Sequence, residues 1–294
     1  MKLRAETTIR TDKETLWRMT QTPENHARWD LRFTDIEYLP RSASDKLQRF
    51  HYATRIGFGK AIRGWGETIG GPDHATSALR FGSDDPLSLI RDGAGSWTYK
   101  PITGGFHFRT VYDYSVRYGR LGSAVDRLVL RPLMVWATRW SFDRLRLWIE
   151  RGQAPELSFR LWVSKIAART ALGLVWVYEG LVLKLLFAGS DQVTLVAGSG
   201  LSGPNPRLAL ALIGLFEIVM GAWLLSGRAE RAAVATSSLV MLALSGVAAW
   251  TSPSVLIDPL GGVPKDLALI ACALAVWVLV PAVPRAYKVK EEKI

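Results

Sequence analysis

The chain has 294 residues, 49% of them hydrophobic, and a formal net charge of +11 from 37 Lys and Arg against 26 Asp and Glu. One cysteine, Cys272, excludes an intrachain disulfide and a cysteine metal cluster. The basic residues gather around the hydrophobic second half instead of forming a patch with base-reading side chains, which excludes a nucleic-acid partner and suits an anionic leaflet, worth about 1 kcal/mol per basic residue near the surface.

The N-terminal stretch MKLRAETTIRTD has no apolar core of a signal peptide, so the first half is expected in the cytoplasm. Period-two alternation predicts strands near 3–11, 33–39, 50–58, 61–69, 75–81, 96–102 and 106–118. In the last of these Phe106, Phe108, Tyr112, Tyr114 and Val116 share one face, and His107, Arg109, Asp113 and Arg117 take the other. Gly70-Gly71-Pro72-Asp73, Asp84-Asp85-Pro86, Asp92-Gly93 and Gly104-Gly105 read as turns. Thr11 or Asp12 can cap a helix that begins at Lys13, with Leu16 and Met19 on its apolar side, and residues 25–29 extend it or form a second short helix. A long helix is predicted over 121–149, kinked or split at Pro132. Its apolar Val125, Leu128, Val129, Leu133, Trp136 and Trp140 recur every three or four residues.

This order, with Glu6-Thr-Thr-Ile-Arg-Thr-Asp-Lys-Glu-Thr-Leu-Trp17 and His26-Ala-Arg-Trp29-Asp30, resembles the START-like (SRPBCC, polyketide cyclase-like) superfamily. The resemblance covers residues 1–152. It implies an α+β helix-grip fold, an antiparallel sheet around a long C-terminal helix, with a cavity for lipids, polyketides or other apolar ligands. Many members have no catalytic residues. Candidates to line such a cavity are Phe50, Tyr52, Trp65, Trp97, Tyr99, Phe106, Phe108, Tyr112, Trp136 and Trp140. Plain core filling is the competing role for each. His26, His51, His74 and His107 form no ligand-spaced pair and are expected at the solvated surface. No nucleophile elbow, phosphate loop or dinucleotide fingerprint is present, so no catalytic set can be named.

The second half, 160–288, reads as an all-α transmembrane four-helix bundle. Its apolar segments near 166–187, 208–225, 232–250 and 267–283 can each cross a hydrocarbon core of about 30 Å. Trp162, Trp223, Trp250 and Tyr287 lie near their ends, as belt aromatics do. Basic residues precede the first span, Arg228 and Arg231 sit between the second and third, and Arg285, Lys288, Lys290 and Lys293 close the chain. The positive-inside rule then places both termini in the cytoplasm of a bacterial inner-membrane protein.

Five charged residues fall in or at the edges of the spans: Glu179, Lys184, Glu217, Lys265 and Asp266. A charge at the centre of a membrane helix costs roughly 2.5–3.5 kcal/mol on insertion scales, so each should face inward and pair. Glu179 and Lys184 are five apart, more than one α-turn, and each is expected to pair with another helix. The cluster either fixes helix packing through ion pairs or makes a small polar site for a proton, a quinone head group or a partner.

Arg169, Trp176-Val-Tyr-Glu179-Gly180 with Lys184, Asp191 ahead of a Gly-Ser-Gly-Leu link, Glu217, and Pro259 with Pro264-Lys265-Asp266 make this half similar to the DoxX-like family. Some members of that family are linked to quinone-dependent sulfur oxidation or to oxidative-stress complexes. No haem or flavin motif is visible, and no cofactor is evident. Three functions stay open: a cytoplasmic cup that binds a lipid or quinone-like molecule beside the bilayer, a proton-handling or non-catalytic subunit of a membrane oxidoreductase, and an anchor for a membrane or cytoplasmic protein. In the first, the basic long helix would lie against the leaflet.

Overall fold

A computed structural model describes residues 2–42, 45–71, 74–200, 202–257 and 262–286. The turn residues Pro72 and Asp73, Pro259 of the last link, and Tyr287, Lys288, Lys290 and Lys293 of the tail lie outside the described residues. The chain divides into two compact units, one of Met1–Ser158 with the residues from Pro284 onward, the other Phe159–Val283.

The first unit runs β1 (Leu3–Ile9), α1 (Lys13–Gln21), α2 (Pro23–Trp29), β2 (Asp35–Tyr38), β3 (Gln48–Gly57), β4 (Lys60–Gly70), β5 (Thr76–Gly82), β6 (Ile90–Ile102) and β7 (Gly105–Val116). Then come α3 (Gly119–Val125), a π-helical turn Asp126–Leu130, and α4 (Arg131–Arg151). The seven strands form one antiparallel sheet in the order β1-β7-β6-β5-β4-β3-β2. Six strands follow chain order; β1 alone jumps to pair with β7, with Thr7 opposite Phe108. Two short helices after β1 and a long helix packed on the sheet complete a helix-grip domain.

Local chemistry sets the boundaries. Asp12 caps α1 by accepting from the Thr15 N–H at 2.7 Å. β6 begins six residues before the predicted strand, because Gly93 and Gly95 are strand residues and not turn residues. A Cβ on Gly93 would come within 2.5 Å of the Phe81 ring, and one on Gly95 within 2.5 Å of Tyr112 Cβ. These glycines admit large neighbours across the sheet. Pro132 marks a split in the long helix, as expected. It sits in the first turn of α4, where a missing N–H costs nothing, and the irregularity is the π-turn before it. There Asp126 points inward, accepting from Tyr114 Oη at 2.6 Å and pairing with Arg131 at 3.1 Å.

The inner face of the sheet packs on α1, α2 and α4 through Ala5, Ile9, Leu16, Trp29, Trp97, Tyr99, Phe108, Phe142 and Leu145. Phe108 stacks on Phe142 of α4 with ring centroids 4.6 Å apart. Each such large side chain contributes about 1.5–3 kcal/mol of burial.

His26 corrects the surface expectation. It is 9% exposed, stacks on Trp29 and meets Trp97 edge-on. Its Nε2 lies 3.1 Å from Asp30, which is fully buried and also held by Arg32 at 2.6 Å. Burial depresses the His26 pKa, and Asp30 only partly offsets that. Burial alone would raise Asp30, but the Arg32 charge and the hydrogen bonds from Arg32 and His26 outweigh it and hold the carboxyl well below its ordinary range.

The second unit contains α5 (Pro155–Tyr178), whose first turn precedes the unit boundary, then a π-helical segment Glu179–Leu186. After these come α6 (Ser190–Gly198), α7 (Pro206–Ser226), α8 (Glu230–Thr251), a short 3-10 turn Pro253–Ile257 and α9 (Gly262–Leu279). Among the described residues, three helical stretches are long and apolar enough to cross a membrane: Pro155–Leu186, Pro206–Ser226 and Glu230–Thr251. The 18-residue α9 occupies the fourth expected span. The core of this unit gathers Leu172, Trp176, Met220, Leu224, Val234, Met241 and Val276. The α6 helix lies in what reads as a loop in the sequence.

Candidate functional site

Four glycines bring two helices of the bundle together. A Cβ on Gly180 would sit 2.3 Å from the Gly214 carbonyl oxygen, and one on Gly221 would sit 2.6 Å from that of Gly173. The spacing of seven on each helix, 173 to 180 and 214 to 221, makes a seam of small residues, the usual means of close helix approach in lipid. At this seam the charged residues meet. Lys184 Nζ lies 2.8 Å from Glu217 Oε2 and 3.5 Å from Glu179 Oε2.

The second contact corrects the sequence expectation. In an α-helix, residues five apart are about 140° apart around the axis at 3.6 residues per turn. Glu179–Leu186 is instead π-helical, with i→i+5 hydrogen bonding that continues to the Phe187 N–H and the Val182 carbonyl at 2.9 Å. The wider turn swings Lys184 back over Glu179. Lys184 therefore pairs within its own helix and across to α7.

These residues line a partly open cavity of about 570 Å3 in the bundle. Its walls are mainly apolar, from Trp176, Leu195, Val196, Leu210, Ile213, Met241, Leu244 and Leu269. The polar lining is Glu179, Lys184, Asp191, Gln192, Ser199, Glu217, Ser245 and Asp266. Ser245 donates to Asp266, which fixes that carboxylate on the wall. Glu217 is 3% exposed, and its Oε2, although close to Lys184, accepts no well-directed hydrogen bond; nor does the buried Oε1 of Gln192. Of the five expected intramembrane residues, the cavity collects Glu179, Lys184, Glu217 and Asp266. Lys265 is exposed and is not in its lining. Sequence reasoning missed Gln192 and Ser245. Gln192 belongs to the unforeseen α6, and a lone serine in an apolar span carries no signal.

A second charged group closes one end of the bundle. Glu230, at the start of α8, accepts from Lys165 Nζ at 2.9 and 2.7 Å and pairs with Arg169. Arg169 lies against Gly227, whose left-handed backbone (φ +67°) leaves no Cβ in its way.

The aromatic cup candidates of the first unit behave differently. Phe50, Trp97, Tyr99, Phe108, Tyr112 and Trp140 are buried, and Tyr52, Phe106 and Trp136 are half-buried. Tyr112 Oη meets Thr138 Oγ1 at 2.9 Å, and Tyr99 Oη meets Thr20 at 2.8 Å. Trp65 is on the other face of the sheet. It pairs in register with His51 and Gly82, one residue out of step with Gly66 opposite Phe50, and lines a shallow outer depression with Arg80, Asp92 and Asp113. A pocket under the sheet, bordered by His26, Phe33, Tyr38, Phe50 and Trp97, has a volume of about 30 Å3.

A helix-grip domain followed by a bundle of apolar helices that encloses a polar cluster defines a two-part membrane protein. Residues 173–285 match the DoxX-like family. The chain is 41% identical over 224 residues to "Uncharacterized membrane protein YndG" of Bacillus subtilis (strain 168), an alignment that covers 74% of this chain and 78% of that protein. The chain belongs to the family of that membrane protein, and its second half carries a DoxX-like domain. Among solved structures, TTHA0849 from Thermus thermophilus is 17% identical, with 50% of this chain and 97% of that one covered at a TM-score of 0.41. The Zhui aromatase/cyclase from Streptomyces sp. R1128 is 12% identical, with 52% and 98% covered at 0.38.

Proposed function

We propose that this protein is a membrane-embedded binding module whose bundle cavity takes an amphipathic small molecule, lipid-like or quinol-like, from the bilayer. The cavity of about 570 Å3 between apolar walls carries this reading. It falls in the range of small-molecule sites, roughly 300–1,000 Å3, and has their composition of apolar walls with a few placed polar groups. Among the described residues of the lining Lys184 is the one cation beside Glu179, Asp191, Glu217 and Asp266; Glu217 Oε2 is ion-paired to it without a well-directed hydrogen bond, and the buried Gln192 Oε1 makes no hydrogen bond. A head group that donates hydrogen bonds or carries positive charge, such as a dihydroxy ring or an amine, satisfies them. An unsatisfied buried acceptor costs about 1–3 kcal/mol, which such a ligand would recover. This reading puts the ligand site in the bundle.

The reading places both termini in the cytoplasm of a bacterial cell. Lys165 and Arg169 meet Glu230 at the end of the bundle that also holds Arg228 and Arg231, while the opposite links carry Arg207 and Lys265 against Asp191 and Asp266. That asymmetry orients the spans.

The test is native mass spectrometry of the full chain from lipid nanodiscs, with extraction and identification of co-purified amphiphiles. Ala248 lines the cavity, so Ala248→Phe should fill it and abolish co-purification while the thermal transition is retained. An unchanged set of bound molecules in a folded Ala248→Phe protein would refute the assignment. A second reading follows from Lys184 lying between two carboxylates: the cluster passes protons for a redox partner. It requires Glu217→Gln to stop quinone-dependent turnover in membranes without loss of the ligand.

A further inference from the structure

The first unit shows water an apolar stripe that its own core does not use. In α3 and the π-turn that follows, Leu121 is 73% exposed, Leu128 75% and Val129 60%, with Val125 and Leu133 exposed beside them. These five are all exposed, while buried Gly122 and Asp126 mark the packed side of the helical stretch. The other side is anchored. A Cβ on Gly122 would overlap the Arg117 carbonyl, so the helix cannot roll there, and Asp126 is fixed by Tyr114 and Arg131. Exposed Arg120 and Arg127 flank the stripe.

We propose that Leu121, Val125, Leu128, Val129 and Leu133 form an interfacial segment that inserts into the surface of an anionic bilayer. This goes beyond the ligand cavity and does not depend on it. An exposed apolar face bordered by Arg is the composition of helices that lie in the headgroup region, with their apolar side buried about 5–10 Å. The flanking arginines give the surface the sign that complements anionic lipid. The chain belongs to a family of membrane proteins, and only Gly152–Ala154 separates α4 from α5, the helix that continues into the first span. A bilayer is therefore always within tether reach, and weak insertion is strengthened by high effective concentration. The Asp126 anchor fixes the stripe outward and makes it a built surface instead of a frayed end.

The experiment places spin labels on the full chain in a Cys272→Ala background, at Leu121→Cys, Leu128→Cys and, on the flank, Ser123→Cys. Accessibility to oxygen and to a water-soluble nickel chelate is read in vesicles of phosphatidylethanolamine with phosphatidylglycerol. The expected result is a higher oxygen-to-nickel ratio at 121 and 128 than at 123, and a fall in that ratio when Arg120→Gln and Arg127→Gln are combined. Labels at 121 and 128 as open to nickel as that at 123 would overturn the proposal. Labels closed to both reagents would also overturn it, in favour of contact with protein. Circular dichroism and the thermal transition of each labelled variant separate these outcomes from misfolding.

Discussion

Lys184 Nζ stands 3.5 Å from Glu179 Oε2, five residues back along its own helix, because that helix widens into a π-turn between them. The same turn leaves Lys184 free to reach Glu217 on α7 at 2.8 Å. One cation thus ties two carboxylates at the wall of the bundle cavity.

Removing the cation should be costly, and removing cation and anion together should not. Lys184→Met leaves Glu217 buried without its counter-charge, a change worth about 3–5 kcal/mol in buried pairs. The double variant Lys184→Met with Glu217→Leu should regain most of that loss. Thermal unfolding in detergent measures both. With Glu217→Leu measured alone to close the cycle, a double-variant loss equal to the sum of the two single losses would show that the pair carries no coupling.

The glycine seam makes a sharper test of packing. Gly180→Ala drives a methyl into the Gly214 carbonyl, an overpacking that costs about 1–3 kcal/mol. Gly246 in α8 has open space where its Cβ would be. Gly246→Ala should therefore be neutral or stabilise by about 0.5–1 kcal/mol. Compared by denaturation midpoint, Gly180→Ala should lie below the parent and Gly246→Ala should not.

The buried His26–Asp30–Arg32 cluster predicts acid sensitivity of the first unit. His26 has a folded pKa below its unfolded value near 6.5. The unfolded chain then binds more protons below about pH 6.5, so stability is fully present above that pH and falls as pH drops toward the folded pKa. Asp30 is also depressed, so its contribution is present above an unfolded value near 3.9 and is lost as pH falls further. The Tm of the first transition should drop between pH 7 and 5, and His26→Gln should flatten that drop. A Tm constant over this range would contradict the buried neutral imidazole.

Orientation is checked by a membrane-impermeant maleimide on intact cells in the Cys272→Ala background. Pro204→Cys should be labelled from outside, and Arg228→Cys only after lysis. The reverse pattern would invert the bundle.

Much of this architecture is legible in the sequence. Alternation in residues 106–118 and the apolar lengths of the spans reflect a period that burial imposes directly. The charges at 179, 184, 217 and 266 are readable because an ion in lipid must have a partner. The reach of Lys184 to another helix is readable too, but its pair with Glu179 is not, since a π-turn leaves no mark in a sequence read at 3.6 residues per turn. Strand β6 is half hidden because Asp92-Gly93 reads as a turn, while Gly93 and Gly95 make room for Phe81 and Tyr112. His26 looks like a surface residue because its partners Asp30 and Trp97 come together only through the fold. Chemistry alone places Trp65 inside, whereas its register with His51 decides its face.

The most direct test is an experimental density map of the full chain in nanodiscs made from bacterial lipid. Elongated non-protein density should fill the space between Trp176, Leu210 and Met241, with its polar end within hydrogen-bonding distance of Glu217 and Gln192. A bundle whose side chains close that space, or one that holds only water there, would contradict the assignment of the ligand site to the membrane half.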